Sequence, residues 1–185
     1  MIKPGINYRR ATLLLAVLLA LAACGSAPPR QPVAIEQAKK ADQAAHRALR
    51  DGDLMRAREL FRQSLLLQQS LDDRPASAMA AINLSSVAHK LGDDVTALGL
   101  LDDILADKAA QLPAELRAAA AFRKGVMLAD AGKVAEAESA LQQASLECNG
   151  KCSFTAGMNN LRARLALNKG DFAAALATAR GLASG

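Results

Sequence analysis

The feature that most constrains the fold of this chain is an internal repeat with a period of about 40 residues. Four segments share a glycine that is followed by an alanine five residues later: RDGDLMRARELF, KLGDDVTALGLL, DAGKVAEAESAL and NKGDFAAALATA. The glycines are evenly spaced, at Gly52, Gly92, Gly132 and Gly170. Strong helix formers dominate between them, without β-branched runs or hairpin turns. Self-similarity at such a period predicts an all-α solenoid of about four stacked helical hairpins.

Each repeat carries the signals of a helix, a tight turn and a second helix. The glycine can adopt the left-handed conformation that closes the first helix. An aspartate that can cap the second helix follows in three repeats, as Asp53, Asp93 and Asp171. Lys133 takes this place in the third repeat and cannot cap in that way. The residues expected to pack the two helices together are Ala57, Ala97, Ala137 and Ala175 at the close approach, and Phe61, Leu101 and Leu141 in the seam.

These residues resemble tetratricopeptide repeats, whose units pair a small residue in the first helix with an alanine and a bulky residue in the second. The second unit, AAINLSSVAHKLGDDVTALGLL, matches best, with Asn83-Leu84, Ala88, Gly92-Asp93 and Ala97 in register. Gly125 stands where the family often has a glycine in the first helix. The resemblance covers nearly all of the chain from Ala34 onward and implies a tetratricopeptide-like helical-hairpin solenoid of about four repeats.

The chain also departs from the family pattern. The usual aromatic positions of the first helix are Ala or Leu, and Ala179 takes the bulky position of the fourth repeat. The period common in the family is about 34 residues, which is shorter than the period here. Longer second helices, such as ELFRQSLLLQQSLDDRPAS, would resemble the roughly 40-residue variants of the family, and this is the expectation for the first repeat.

The first two dozen residues have the pattern of an export signal. Three basic residues precede an uncharged apolar segment, residues 11–23, which small residues close. This segment is too short to cross a membrane core that needs about 20 helical residues, so a cleaved signal peptide is favoured over a permanent span.

The end of this signal resembles the lipobox of bacterial lipoproteins. The four residues are Leu21-Ala22-Ala23-Cys24. In that family the cysteine receives a diacylglycerol thioether, the signal is cut before it, and its new amino group is acylated. The buried acyl chains then contribute about 0.8 kcal/mol for each CH₂ group. The resemblance implies a lipid anchor at Cys24, and Gly25 beside it favours the outer membrane, facing the periplasm.

The predicted organisation is therefore a lipoprotein signal peptide at 1–23, a lipidated cysteine with a Pro-rich tether at 24–33, and the repeat domain at 34–185. Three of the 23 Lys and Arg leave with the signal and none of the 18 Asp and Glu do, so the mature chain is nearly balanced in charge. The mature chain contains only four aromatic residues, all Phe. Without a basic stripe or aromatic platforms, nucleic acid is not expected as a partner.

A search for chemistry finds no phosphate-binding loop, HExxH, nucleophile elbow or CxxC. His46 and His89 have no third histidine or free thiolate to complete a metal site, so no metal and no cofactor are predicted. The acidic pairs Asp72-Asp73 and Asp102-Asp103 are expected to be solvated charge. The sequence therefore predicts a protein that is not an enzyme.

The segment CNGKC places Cys148 and Cys152 on either side of Asn-Gly, a dipeptide that turns the chain easily. In an exported protein, nearby cysteines tend to oxidise. A disulfide is therefore expected, with a stabilisation of about 2 kcal/mol in the chain-entropy model. The alternative is a redox-active pair, for which Lys151 would be the only cation in the loop.

Tetratricopeptide arrays bind partners mainly through their first helices, which line a concave groove. Transferred to this sequence by counting back from each glycine, the groove positions are Asp42, His46, Arg50, Ile82, Ser86, His89, Lys90, Phe122, Val126, Asn160 and Arg164. The set has cationic ends and an apolar middle, which suits a segment with apolar anchors and some acidic residues. The clamp for a C-terminal carboxylate found in some family members is only partly matched, by Asn83 and Lys90, since the neighbouring Asn is Ser86.

The resemblance implies a non-enzymatic scaffold that binds another envelope protein, as pilotins and accessory subunits of envelope assembly machines do. A passive structural spacer and an enzyme with an unrecognised site are the alternatives.

The last helix, about Asp171 to Ala183, carries Phe172, Leu176 and Leu182, and no further sequence follows to cover it. Self-association or docking of a partner through this face is therefore expected, and folding back under its own first helix is the alternative.

Overall fold

The structure, a computed structural model, describes residues 33–107 and 111–183. These residues form helices α1 (Val33–Arg50), α2 (Leu54–Ser70), α3 (Arg74–Lys90), α4 (Asp94–Ala106), α5 (Ala114–Asp130), α6 (Val134–Cys148), α7 (Thr155–Asn168) and α8 (Phe172–Ala183). The all-α prediction is confirmed for this part of the chain. The predicted signal peptide, Cys24 and most of the tether lie outside the described residues. None of the described helices is long and apolar enough to span a membrane.

The four repeat glycines make the turns that the sequence predicts. Gly52, Gly92, Gly132 and Gly170 all have φ between +74° and +79°. This left-handed conformation suits glycine because it has no Cβ. Each turn joins the two helices of one repeat, so that α1/α2, α3/α4, α5/α6 and α7/α8 form four hairpins.

The aspartates after these glycines cap the second helices. The Oδ1 atom of Asp53 accepts a hydrogen bond from the amide of Arg56 at 3.0 Å. Asp93 and Asp171 do the same for the amides three residues on, at 3.2 and 3.0 Å. Lys133 makes no side-chain cap on α6, as expected. Its φ and ψ nevertheless match those of the capping aspartates Asp53 and Asp93, so the turn itself does not depend on the cap.

The expected second helix of the first repeat is too long. The segment ELFRQSLLLQQSLDDRPAS contains the end of α2, a turn and the start of α3. Asp72 is left-handed with φ 53°, and Asp73 caps α3 by accepting from the amide of Ala76 at 3.1 Å. Pro75, which has no amide hydrogen, fits in the first turn of a helix. The long period of this region thus comes from two helices of 17 residues, not from one extended helix.

The small residues of the repeat lie where helices cross. Ala57, Ala97, Ala137 and Ala175 are all buried. Gly125 lies at a close approach of α5 to α6 and α7, since a Cβ there would lie 3.3 Å from the Ala137 carbonyl oxygen and 3.2 Å from a methyl group of Leu161. The bulky residues predicted for the seam, Phe61, Leu101 and Leu141, are buried too.

Successive hairpins stack into a helical repeat solenoid. Each second helix packs against the first helix of the next repeat. The first helices α3 and α5 also pack together, as do α5 and α7, whereas no two second helices in the described part of the chain make comparable contacts. Because the first helices lie closer to one another than the second helices do, the array curves with α3, α5 and α7 on its inner side.

Candidate functional site

A cleft of about 320 Å³ opens on this inner side, between α3 and α5. Its lining consists of Ser86, His89, Lys90, Arg123, Val126, Met127 and Asp130. Four of the predicted groove residues, Ser86, His89, Lys90 and Val126, therefore meet at one site. Val126 and Met127 give it an apolar part, and charged side chains surround that part.

A chain of polar contacts runs along one edge of the cleft and joins three repeats. His89 contacts carboxylates with both ring nitrogens, Nδ1 with Asp94 at 2.5 Å and Nε2 with Asp130 at 3.0 Å. The second oxygen of Asp130 accepts from Arg164 at 2.8 Å. Arg164 also donates to the carbonyl oxygen of Val126 at 3.3 Å. The predicted groove residues His89 and Arg164 are thus linked through Asp130, although they lie two repeats apart.

The environment of His89 favours its charged form. Partial burial lowers the pKa of the imidazole, but the hydrogen bonds and charges of Asp94 and Asp130 act in the opposite direction. The net result is a pKa above the ordinary value of 6.5. Opposite charges within hydrogen-bond distance outweigh the cost of removing water from part of the ring.

Two cations that line the cleft, Lys90 on α3 and Arg123 on α5, are both exposed. Neither makes a hydrogen bond or ion pair with another residue among those the structure describes, whereas Lys124, next to Arg123, pairs with Asp102 at 2.6 Å. Among the described residues, no carboxylate neutralises these two cations.

Ile82 does not belong to the accessible lining. It is only 4% exposed and lies in the core formed by the first repeats, so its prediction as a groove residue is corrected. The physical reason is that α3 is packed on several sides, by α2, α4 and α5, which leaves little of its surface free. Ser86, one turn further on, lines the cleft, but its hydroxyl donates to the Ile82 carbonyl oxygen at 3.0 Å.

Phe122 lies between repeats and is half-buried. Its ring stacks on Phe154, with centroids 5.5 Å apart and an interplanar angle of 14°. Its Cζ atom also reaches the surface of Gly157, where a Cβ would lie only 3.0 Å away. Phe122 thus packs α5 against the start of α7, and part of its predicted role as a partner contact is taken by this internal packing.

The predicted groove residues of the first repeat lie apart from the cleft. The Nε2 atom of His46 is 3.7 Å from an oxygen of Asp42, and the imidazole packs edge-on against Phe61 at 5.0 Å between centroids. Arg50 is exposed at the end of α1. Helix α1 makes no contact with α3 comparable to that between α3 and α5. Asn160 is exposed on α7 and does not line the cleft either.

Three charged residues of the site were not predicted from the sequence. Asp130 occupies the same place before its glycine as Arg50 and Lys90, so the repeat alignment could have found it. Arg123 directly follows Phe122. Asp94 is the first residue of α4, and nothing in the repeat pattern indicates that it reaches back to His89.

The two cysteines lie close enough together for the expected disulfide. Their Cα atoms are 5.3 Å apart, within the range that a disulfide spans. Asn149 and Gly150 between them are both left-handed, with φ of 45° and 73°, and end α6. The Asn-Gly turn is therefore confirmed.

The two acidic pairs singled out in the sequence are exposed, as expected. Asp72 is exposed and lies 3.7 Å from Arg74, and Asp102 pairs with Lys124. Within residues 33–107 and 111–183, no group of three or more His, Cys, Asp or Glu side chains is arranged to hold a metal ion.

Comparison of the sequence with protein-family models gives no match, and comparison with curated proteins gives no significant similarity.

Proposed function

We propose that this chain is a lipid-anchored scaffold of the bacterial envelope, which holds a segment of another envelope protein on the inner side of a tetratricopeptide-type array. The bound segment lies over the cleft between α3 and α5. The chain performs no catalysis in this role. Its action is to bring a partner to the membrane, as a pilotin-like protein or an accessory subunit of an assembly machine would.

The tetratricopeptide type is supported by the internal geometry of the repeats. All four turns place a left-handed glycine before the second helix. In every repeat the alanine five residues later is buried where the two helices cross. The first helices line the inner curve, which is where arrays of this type bind extended or helical segments.

The observation that carries the binding proposal is the position of two cations, Lys90 and Arg123, beside apolar Val126, with no partner for either among the described residues. A partner with an apolar side chain between acidic residues would complement both features. The apolar side chain would lose water against Val126 and Met127, and its neighbouring carboxylates would reach the two cations. Charge complementarity of this kind adds specificity and speeds association.

The test of the groove is a charge reversal with a matched control. The partner is first captured from membranes by reversible crosslinking of the full-length protein, and its binding is then compared among variants. Lys90→Glu combined with Arg123→Glu should weaken binding about tenfold or more at low ionic strength, and less at high salt because exposed charges are screened. Arg56→Glu changes an exposed cation on α2 and should bind as the unmodified protein does. Equal binding by all three proteins would overturn the proposed site. Phe122→Ala is a poor probe, since it would also loosen the contact of α5 with α7.

The lipid anchor is tested separately. If Cys24 carries the lipid, Cys24→Ala should leave the membrane fraction or accumulate with its signal uncut, and labelled fatty acid should not enter the protein. Unchanged labelling of this variant would contradict the anchor and, with it, the outer-membrane location.

The disulfide is proposed as a structural link between the third and fourth repeats. Mass measurement of the non-reduced protein, alkylated under denaturing conditions, should show no adduct on Cys148 or Cys152. Two adducts without reduction would mean that the bridge is absent. Replacing both cysteines should lower stability by about 2 kcal/mol and preserve binding, whereas lost binding would indicate a redox role.

A further inference from the structure

His89 is bound on both sides by carboxylates from different helices. A neutral imidazole has one N–H and one lone pair, so it can donate to only one carboxylate, and its other nitrogen must then face a second anion. Only the imidazolium can donate to Asp94 and Asp130 at the same time. We propose that His89 is a proton-dependent clasp that holds α3, α4 and α5 together and thereby sets the opening of the cleft.

The clasp reaches beyond the helix that carries it. Asp94 is the first residue of α4, in the same repeat as His89, and Asp130 is the last residue of α5, in the next repeat. Asp130 extends the link to α7 through Arg164. When His89 loses its proton, one of its two hydrogen bonds is lost and a lone pair faces a carboxylate. The longer contact, with Asp130 on α5 at 3.0 Å, is the one expected to be lost. The ends of α3 and α5 are then free to separate at the edge of the cleft.

The charges around His89 come from four helices. Lys90 is its neighbour on α3, and Asp94 lies on α4. Arg123 and Asp130 lie on α5, and Arg164 on α7. Only Asp94 and Asp130, among the described residues, form hydrogen bonds with the ring, and they determine the direction of the effect. Arg164 shares the charge of Asp130, which weakens that side of the clasp without removing it.

The direction of the pH effect follows from this arrangement. The raised pKa of His89 means that folding is favoured more when the ring is charged than when it is neutral. This contribution is fully present below the pKa of histidine in the unfolded chain, about 6.5. It is lost as the pH rises through the pKa of the folded protein. The clasp is therefore closed below the pKa of His89 in the folded protein and opens above it.

Thermal unfolding of the mature protein in detergent, without any partner, tests the clasp. Between about pH 6 and pH 9, the unfolding midpoint of the unmodified protein should fall more steeply than that of His89→Gln. His46→Gln is the matched control, because it removes the other histidine of the sequence and leaves the clasp intact, so it should retain the contribution of His89 to the slope. Equal slopes in His89→Gln and the unmodified protein would overturn the proposal.

A second measurement tests whether Asp94 and Asp130 cause the pH effect at His89. The NMR titration of the His89 ring should move to lower pH in Asp94→Asn and in Asp130→Asn, since each variant removes one hydrogen-bonded carboxylate. A titration of His89 that stays unchanged in both would contradict the clasp. Regulation of binding by this clasp rests on the proposed function, but neither measurement uses a partner. Evidence against the binding site would therefore not count against the His89 clasp, and evidence against the clasp would not count against the binding site.

Discussion

The second, third and fourth repeats share the same glycine turn, but the fourth differs from the other two in how well its second helix is covered. Nine residues after the glycine, Leu101 and Leu141 are buried in the middle of the array, whereas the equivalent Ala179 is exposed. Among residues 172–180 of α8, only Ala175 is buried, while Phe172 is 72% and Leu176 51% exposed. The turn and the alanine crossing are thus sufficient to form a hairpin. A bulky seam residue and a following repeat are needed to bury it.

The second helices differ in coverage because successive repeats stack on one another. Helices α4 and α6 are each covered by the first helix of the next repeat, whereas no described helix follows α8. In solenoids each repeat obtains much of its stability from its neighbours, and within the described residues the fourth repeat has a neighbour on one side only. We therefore expect the centre of the array to respond strongly to substitutions that leave its end unaffected.

The largest effect is expected for a cavity in the central seam. Leu101→Ala removes a fully buried side chain and should lower the free energy of unfolding by about 2–5 kcal/mol. Leu176→Ala makes the same change on the exposed face of α8 and should stay within about 0.5 kcal/mol. Denaturant unfolding of both variants checks the difference. Similar losses would mean that α8 is covered in solution.

Gly125 tests the close approach of α5 to its neighbours α6 and α7. Gly125→Ala would place a methyl group 3.2 Å from Leu161 and 3.3 Å from the Ala137 carbonyl, and should destabilise the protein by about 1–3 kcal/mol. Gly99, on α4, has nothing within 4 Å of its own Cβ position, so Gly99→Ala should stabilise by about 0.5–1 kcal/mol through helix propensity. Opposite signs in unfolding experiments would confirm the crossing in the third hairpin, and a neutral Gly125→Ala would contradict it.

A smaller effect on stability is expected from adding a helix cap in the third repeat and from removing one in the second. Lys133→Asp supplies the missing cap at a backbone geometry that already fits one, and should stabilise the protein by about 1 kcal/mol. Asp93→Ala removes an existing cap and should destabilise it by a similar amount. At this chain size each change corresponds to a shift of the thermal midpoint of about 2–4 °C. No gain from Lys133→Asp would show that the third turn does not leave its amides open.

The exposed face of α8 should affect assembly more than stability. We propose that Phe172 and Leu176, which lie four residues apart on one face of α8 and are both exposed, pair with a second copy of the chain. Light scattering of the mature protein should then show concentration-dependent dimers that Leu176→Glu abolishes, while leaving the unfolding midpoint nearly unchanged. A protein that stays monomeric at every concentration would contradict the proposed dimer.

The sequence predicted those parts of the fold that local chemistry determines. Glycines at a fixed spacing indicate left-handed turns, and aspartates after them can cap helices, so the sequence predicts the positions of the four hairpins. The boundary between α2 and α3 was missed because the Asp72-Asp73 turn lacks a glycine. Capping by Asp73 and the proline after it were the available signals.

The candidate site was predicted only in part, because it depends on distances between repeats. Counting along the repeat found His89, Lys90, Val126 and Arg164 on the inner side. It could not distinguish Ile82, which is buried by neighbouring helices, from a residue that lines the cleft. Nor could it show that Asp94 and Asp130 meet at His89, since three helices supply these side chains and only their packing brings them together.

A partner segment on the inner side of the array should be within reach of position-specific photo-crosslinking of the full-length protein in cells. A photoreactive residue is placed at Ser86 or Arg123, in the cleft, and at Gln63 or Ser139, which are exposed on second helices. We expect the same envelope protein to be crosslinked from both cleft positions, through peptides that carry acidic residues, and from neither control position. Crosslinks from Gln63 or Ser139 with none from Ser86 and Arg123 would contradict it.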